Sequence, residues 1–396
     1  MWETVRLGDV LNIQNGYAFD SKQFDEAGAI GLIRIRDLKN GKHTQTRYSG
    51  SYESKYVVRS GDLLIGMDGE FRCYEWKGED ALLNQRVCRL QNFHESVEKR
   101  FILYVIDDEL KKVEAVTGFT TVKHLSSKIL KELPIPLPPL AEQKRIVERL
   151  DKAFAEIDKA LGYIDQEESK LSSFMQRCID KYINVEKDGS KWLKLKDFCN
   201  IKHGFAFSGK SFEKSNDTSK PIVLTPGNFT TNGEVCFTKF NTRRLNNDYV
   251  GDFTLPENSL VVVMTDLSKK MPLLGRPAFI LDRNVLHNQR IGLIKNDEKI
   301  VLNEYLYYFF LSTGYIQEIK ISASGTMVRH TAPKRILETN ISVPVSLDVQ
   351  RNIVRKLSRL RAKIRDTSTI VRRKRAALLS FKAAILKQEL TPSEAV

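Results

Sequence analysis

The chain carries the same segment twice. Leu7–Phe24 reads LGDVLNIQNGYAFDSKQF and Leu195–Phe212 reads LKDFCNIKHGFAFSGKSF, nine identities in eighteen positions at a constant offset of 188. The order then continues. GDLLIGMD (Gly61–Asp68) returns as NSLVVVMTD (Asn258–Asp266), LLNQRVCRL (Leu82–Leu90) as VLHNQRIGLI (Val285–Ile294), and VKHLSSKIL (Val122–Leu130) as VRHTAPKRI (Val328–Ile336). A repeat of this length is too long for a solenoid, so it marks a duplicated domain, and two similar domains present two similar surfaces.

Each copy closes alike. The first ends in ELPIPLPPLAEQKRIVERLD (Glu132–Asp151), where four prolines from Pro134 to Pro139 forbid a regular helix or central strand and set an extended arm before a helix begins. Apolar residues then step by threes and fours at Phe154, Ile157, Leu161, Ile164, Leu171, Met175, Cys178 and Tyr182, with a polar break at Glu168. The second copy ends in ISVPVSLDVQRNIVRKLSRL (Ile341–Leu360) and steps through Ile353, Leu357, Leu360, Ile364, Val371, Leu378, Phe381 and Ile385, broken at Thr367 and Lys374. A helix of about 40 residues is roughly 60 Å long, more than a small domain is wide, so each needs a partner outside a globular core. Acids on the first helix (Glu156, Asp158, Asp165, Glu167, Glu168) face bases on the second (Arg359, Arg361, Lys363, Arg365, Arg372–Arg375), which favours their pairing. An antiparallel pair would set the domains at opposite ends of a rod. The alternatives are that each helix caps its own domain, or that the basic second helix binds a polyanion itself.

Short alternating or β-branched runs punctuated by Gly, Asn and Asp (Ile30–Ile35, Leu63–Met67, Ile222–Leu224, Leu260–Met264) predict strands, and Lys99–Val116 and Asn303–Lys320 predict amphipathic helices. The expected fold class is α+β: two duplicated domains, residues 1–138 and 185–344, joined by helices in 139–184 and 345–396 that form an antiparallel coiled coil.

Composition narrows the function classes. No apolar run approaches the length of a membrane span and the N-terminus lacks a basic-then-apolar signal layout, so no membrane is expected and the cytoplasm is the expected location. Cys73, Cys88, Cys178, Cys199 and Cys236 are odd in number and never spaced CxxC, against a disulfide framework or a zinc site. The net charge of +14 is uneven: 0 over residues 1–138, −1 over 139–184, +6 over 185–344 and +9 over 345–396. That excess suits a polyanion partner without identifying one, and the first domain has no share in it.

One motif invites an enzymatic reading. Gly204–Ser211 (GFAFSGKS) satisfies the phosphate-loop pattern GxxxxGK[ST], and LVVVMTD (Leu260–Asp266) resembles its acidic strand. The equivalent Gly16–Gln23 (GYAFDSKQ) has lost the second glycine and the hydroxyl yet keeps every packing residue, and bulky phenylalanines suit an anion cradle poorly. The six histidines show no ligand spacing, and no nucleophile elbow or paired-carboxylate signature stands out. The chain therefore reads as lacking an active site, with an ATPase as the competing class and a coiled-coil scaffold without sequence preference as a third.

The NQR triplet (Asn84, Gln85, Arg86 and Asn288, Gln289, Arg290) is identical in both copies, so it cannot distinguish two targets; Asn84 and Asn288 read as structural, Arg86 and Arg290 as phosphate contacts. Discrimination belongs where the copies diverge. In the first, this means Arg34, Arg36, Lys39, Lys42, His43 and Arg47, and the DGEFRCYEWKG loop with Arg72, Tyr74 and Lys77. In the second, it means Lys214–Lys220, Asn228–Asn232, Lys239, Arg243, Arg244, and the SKKMPLLGR loop with Lys269, Lys270 and Arg276. Solvated surface charge is the bland reading of any one of these. His124 and His330 follow Lys123 and Arg329 after equivalent turns, as helix caps, core hydrogen-bonding groups or contacts to a polyanion.

The GhAF element (h being Tyr17 or Phe205), GDLL, NQR, the GxTxxKHLS turn and above all IPLPPLAEQKRIVERLD resemble the specificity subunits of type I restriction-modification systems, across essentially the whole chain. The second junction, VPVSLDVQRNIVRKL, lacks the double proline and the Glu of the EQ pair. The resemblance implies a noncatalytic reader of double-stranded DNA whose two target recognition domains each read half of a split, asymmetric sequence. Methyltransferase subunits would dock on the helices and domains, bring S-adenosylmethionine and flip the adenine; a restriction subunit using ATP and magnesium would cut, and this chain would bind no cofactor itself. Tyr17, Lys22, Lys202, His203, Lys210, Lys123 and Arg329 join the loop cations, Arg86 and Arg290 as candidate DNA contacts.

Overall fold

The structure is a computed structural model that describes residues 2–116, 125–183, 189–214, 217–246, 253–282, 284–325 and 328–391. It divides into two compact units, Met1–Tyr163 with Lys374–Val396, and Ile164–Arg373.

In the first unit, hydrophobic alternation builds two small sheets. An antiparallel sheet orders Asn12–Asn15, Val87–Gln91, Leu63–Gly66 and Cys73–Glu75. A mixed sheet orders Phe24–Asp25, Arg47–Tyr48, Ile30–Ile33, Ala81–Leu83 and Val57–Val58, with Ile30–Ile33 parallel to Ala81–Leu83. Leu63, Ile65, Cys88 and Leu90 bury against Phe101, Ile102 and Ile106 of the helix Lys99–Val116. The proline arm becomes a strand, Pro134–Leu137, in a two-stranded ribbon with Glu3–Arg6, where the missing proline donors do not interrupt a central ladder.

The second unit repeats this design. Cys199–His203, Ile291–Asn296, Leu260–Val263 and Pro277–Phe279 form the antiparallel sheet; Phe212–Glu213, Arg244–Leu245, Ile222–Leu224 and Val285–His287 form the mixed one, again with one parallel pair. Ser190–Lys194 and Asn340–Pro344 form the matching ribbon. The helix expected over Asn303–Lys320 is in fact two, Asn303–Leu311 and Thr313–Ile321, because Ser312 takes an extended conformation and its hydroxyl donates to the Phe309 carbonyl.

Two 43-residue helices, Leu140–Tyr182 and Leu347–Glu389, pair antiparallel. In the first unit Arg149 meets Glu389 at 3.0 Å and Asp158 meets Lys382 at 2.6 Å, while Ile157 is buried and Phe154, Ile385 and Leu386 pack on the domain core. In the second, Met175, Cys178, Ile179 and Tyr182 share a cluster with Ile353 and Leu357. On the first helix Phe154, Leu161, Ile164, Leu171 and Met175 are half-buried, and so is Glu168 at the expected break.

The second seam needs a correction. Leu360, Ile364, Val371 and Leu378 face inward as expected, but Phe381 is 58% exposed, and Thr367 and Lys374 are exposed beside it. Ser368, Arg375 and Lys382 take the inward places. Two successive four-residue steps, Leu360 to Ile364 to Ser368, move the alternate positions on by one residue while Val371, Leu378 and Ile385 keep theirs. Lys382 tolerates the position because its stem covers Phe154, with Nζ 4.6 Å from the ring, while its charge reaches Asp158. Arg361 is also diverted: it pairs with Glu234 at 3.1 Å and lies over the Tyr307 ring instead of facing the first helix.

The side chain that closes each junction is a buried glutamine. Gln143 accepts from Glu98 N at 2.8 Å and donates to Ser96 O and Pro138 O at 2.9 and 2.7 Å. Gln350 accepts from Leu302 N and donates to Ile300 O and Pro344 O, each at 2.9 Å.

Cys73, Cys88 and Cys199 are buried free thiols. Burial pushes Cys73 well up and Cys88 and Cys199 up to about 12 from an ordinary value of 9.0. The folded state therefore holds the neutral thiol, and its contribution to stability is full below pH 9 and lost as pH rises toward 12. At pH 8, iodoacetamide is expected to label exposed Cys236 and spare these three. Peptide mapping with Cys88 labelled as fast as Cys236 would contradict the packing.

Candidate nucleic-acid interface

The two elements that the copies share most closely are neighbours in each domain. Gly16 N donates to Val87 O and Tyr17 N to Leu83 O, at 3.0 and 2.9 Å. In the second domain Phe205 N donates to His287 O and Gln289 N to Phe205 O, at 2.8 and 2.9 Å. The glycine is required by proximity: a Cβ on Gly16 would lie 2.0 Å from Asn84 O, and one on Gly204 2.2 Å from His287 O. GhAF and NQR are thus laced into one rigid unit.

NQR is a four-residue turn leading into the strand, closed by Val87 N to Asn84 O (2.9 Å) and Ile291 N to Asn288 O (3.0 Å). Asn84 and Asn288 are buried, and Asn288 Oδ1 accepts from Arg290 N, which agrees with a structural role. Gln85, Arg86, Gln289 and Arg290 stand exposed at the turn corners. Arg86 is held by Asp68 at 2.9 Å.

The phosphate-loop resemblance dissolves in three dimensions. Gly209–Ser211 is a single 3-10 turn in which Ser208 accepts from Lys210 N, and Ser21–Gln23 makes the same turn with Asp20 accepting from Lys22 N. A Cβ on Gly209 would meet nothing within 4 Å, so no close approach requires that glycine. Lys22 and Lys210 are exposed on these turns.

The divergent loops separate into outward cations and internal braces. Arg34, Arg36, Lys42, Arg72 and Lys77 are exposed in the first domain, with Arg36 bonded to Thr46 Oγ1, Arg72 to Glu70 at 2.6 Å and Lys77 to Glu75 at 3.6 Å. Lys202, His203, Lys239, Lys269 and Lys270 are exposed in the second. Tyr74 is half-buried, which raises its phenol pKa.

Four of the candidate arginines are hydrogen-bonded within their own domain. Arg47 donates to the carbonyls of Gly28 and Ala29, and Arg244, on the matching strand, to that of Lys220. Arg243 donates to Phe240 O and Thr242 O, both at 3.0 Å. Arg276 reaches Pro272 O, and burial lowers its pKa. Asn228 is likewise buried, holding Thr225 and Asn241. Arg329 is half-buried in a strand paired with Thr265–Asp266, and His330 lies 3.0 Å from Thr265 Oγ1. Lys123 and His124 lie outside the described residues.

Among the described residues no three His, Cys, Asp or Glu side chains are grouped to hold a metal, and no helix is long and apolar enough to cross a membrane. What the geometry defines is a duplicated surface module: one rigid turn shared by two domains and framed by cationic loops that differ. The model of the type I restriction modification DNA specificity domain matches residues 1–162 and again 187–371, and the chain belongs to that family of DNA specificity subunits. It is 31% identical to the type I restriction enzyme EcoBI specificity subunit of Escherichia coli, over 91% of this chain and 79% of that one. It is 23% identical to the MjaVIII specificity subunit of Methanocaldococcus jannaschii, over 90% and 85%. In fold it is similar, with a TM-score of 0.65 at 16% identity, to a chain from a structure describing complex assembly and conformational transition of the type I R-M system, covering 98% of this chain and 97% of that one.

Proposed function

We propose that the chain reads a split, asymmetric DNA target, one half-site per duplicated domain, and carries out no chemistry itself. The observation that carries this is the combination of an identical Gln-Arg turn in both domains with exposed loop cations that differ between them. The shared turn supplies positioning on the phosphates, and the differing loops supply discrimination. Adenine methylation and cleavage are then the work of partner methyltransferase and restriction subunits, which bring S-adenosylmethionine, ATP and magnesium. Double-stranded DNA in the cytoplasm is the ligand.

Methylome sequencing of a host with and without the chain tests this directly. A split adenine-methylated motif is expected only when the chain is present; an unchanged methylome would sink the proposal. The paired helices act as the ruler between half-sites. Adding seven residues to each helix at the same level lengthens the pair by about 10 Å, roughly three base pairs of DNA. Both half-sites should persist with a wider gap, and altered half-sites would refute the ruler.

A further inference from the structure

Tyr17 is 50% exposed and Phe205, its counterpart, 41% exposed, although each lies on a rigid turn where a polar residue would be solvated at no cost. Each ring belongs to a trio with the same geometry in both domains. Tyr17 meets Phe19 at 5.1 Å and 75° and Tyr56 at 5.2 Å and 38°; Phe205 meets Phe207 at 5.0 Å and 69° and Phe253 at 4.8 Å and 39°. Phe19 and Phe207 are buried and anchor the trios, so the outer rings are held edge-on to a fixed base. Exposed cations adjoin both: Arg86 on the turn bridged to Tyr17, and Lys202 and His203 directly before Gly204.

We propose that Tyr17 and Phe205 are stacking platforms for DNA, each seating the face of an unstacked nucleobase in its own half-site; this rests on the DNA-reading function proposed above. The two rings share a π-face, and only Tyr17 has a hydroxyl, so a role common to both domains uses the face and not a hydrogen bond. A group shared by two domains with different targets does not select sequence. Stacking suits this because every base offers a face.

The test uses the full chain assembled with its methyltransferase subunits and a duplex carrying the motif read from the wild-type methylome, with 2-aminopurine at successive positions. Tyr17→Phe, which keeps the ring face, should keep the 2-aminopurine at its position as quenched as Phe205 keeps its own, and a brightening equal to that in Tyr17→Leu would overturn the platform by assigning the contact to the hydroxyl. Tyr17→Leu and Phe205→Leu, which keep an apolar cover over Phe19 and Phe207, should each weaken binding on the order of ten-fold and brighten the 2-aminopurine that loses its stack, with the motif unchanged. Wild-type affinity in both Leu variants would overturn the platforms and leave the DNA-reading function standing. A changed motif would overturn them by making the rings sequence readers. Absence of any motif with the wild-type chain would instead remove the function on which they rest.

Discussion

Gln143→Ala is expected to destabilise the first unit by about 3–5 kcal/mol, and Gln350→Ala the second by a similar amount. Each glutamine is fully buried and satisfies three backbone groups, among them a carbonyl two or three residues before its helix. Removing it strands one donor and two acceptors, of which the Pro138 or Pro344 carbonyl is in a buried bond and the others are part-buried, each costing about 1–3 kcal/mol unless water enters. Both side chains have no solvent exposure, so full rescue by water is not expected. Gln143→Glu keeps the acceptor, loses both donated bonds and buries a charge, and should be no better than alanine. Urea denaturation of the intact chain measures the loss; a change below about 1 kcal/mol would show that the hub is dispensable.

Gly16→Ala and Gly204→Ala are the second pair with large expected effects. The added methyl would meet a backbone carbonyl at 2.0 or 2.2 Å, so the GhAF segment must move away from the NQR turn that it hydrogen-bonds. Such a shift costs about 3 kcal/mol or more and turns Gln85 and Arg86, or Gln289 and Arg290, out of register with their domain. Both stability and methylation of the host motif should fall. Gly209→Ala is the internal control: its Cβ faces open space, and the variant should behave as wild type. An equal loss in Gly209→Ala would restore significance to the GxxxxGKS pattern; equal tolerance of all three would disprove the lacing.

The architecture was legible because the duplication supplies an internal comparison. Setting GFAFSGKS beside GYAFDSKQ is enough to discount the phosphate loop, and finding the NQR triplet in both copies is enough to move it from discrimination to scaffold. The proline arm and the helix behind it follow from backbone restriction and apolar spacing. Phe381 was misplaced because a heptad count extended past Ile364 loses phase at one extra residue, and a large apolar side chain made the wrong phase look right. Tyr56 and Phe253, which complete the aromatic trios, gave no local signal, since the segments around them differ in length and composition between the copies.

Periodicity and self-similarity, being properties of residue order, established the two domains, the long helices and the elements they share. Which of the candidate arginines brace their own domain was decided by the fold. Arg47 and Arg36 are both arginines in one divergent stretch, yet the Arg47 guanidinium serves carbonyls at Gly28 and Ala29 while Arg36 is exposed. Arg244 repeats that brace with Lys220. Those acceptors are main-chain oxygens brought close by strand pairing, and every residue has one, so no pattern of side chains along the sequence marks where an arginine will find them.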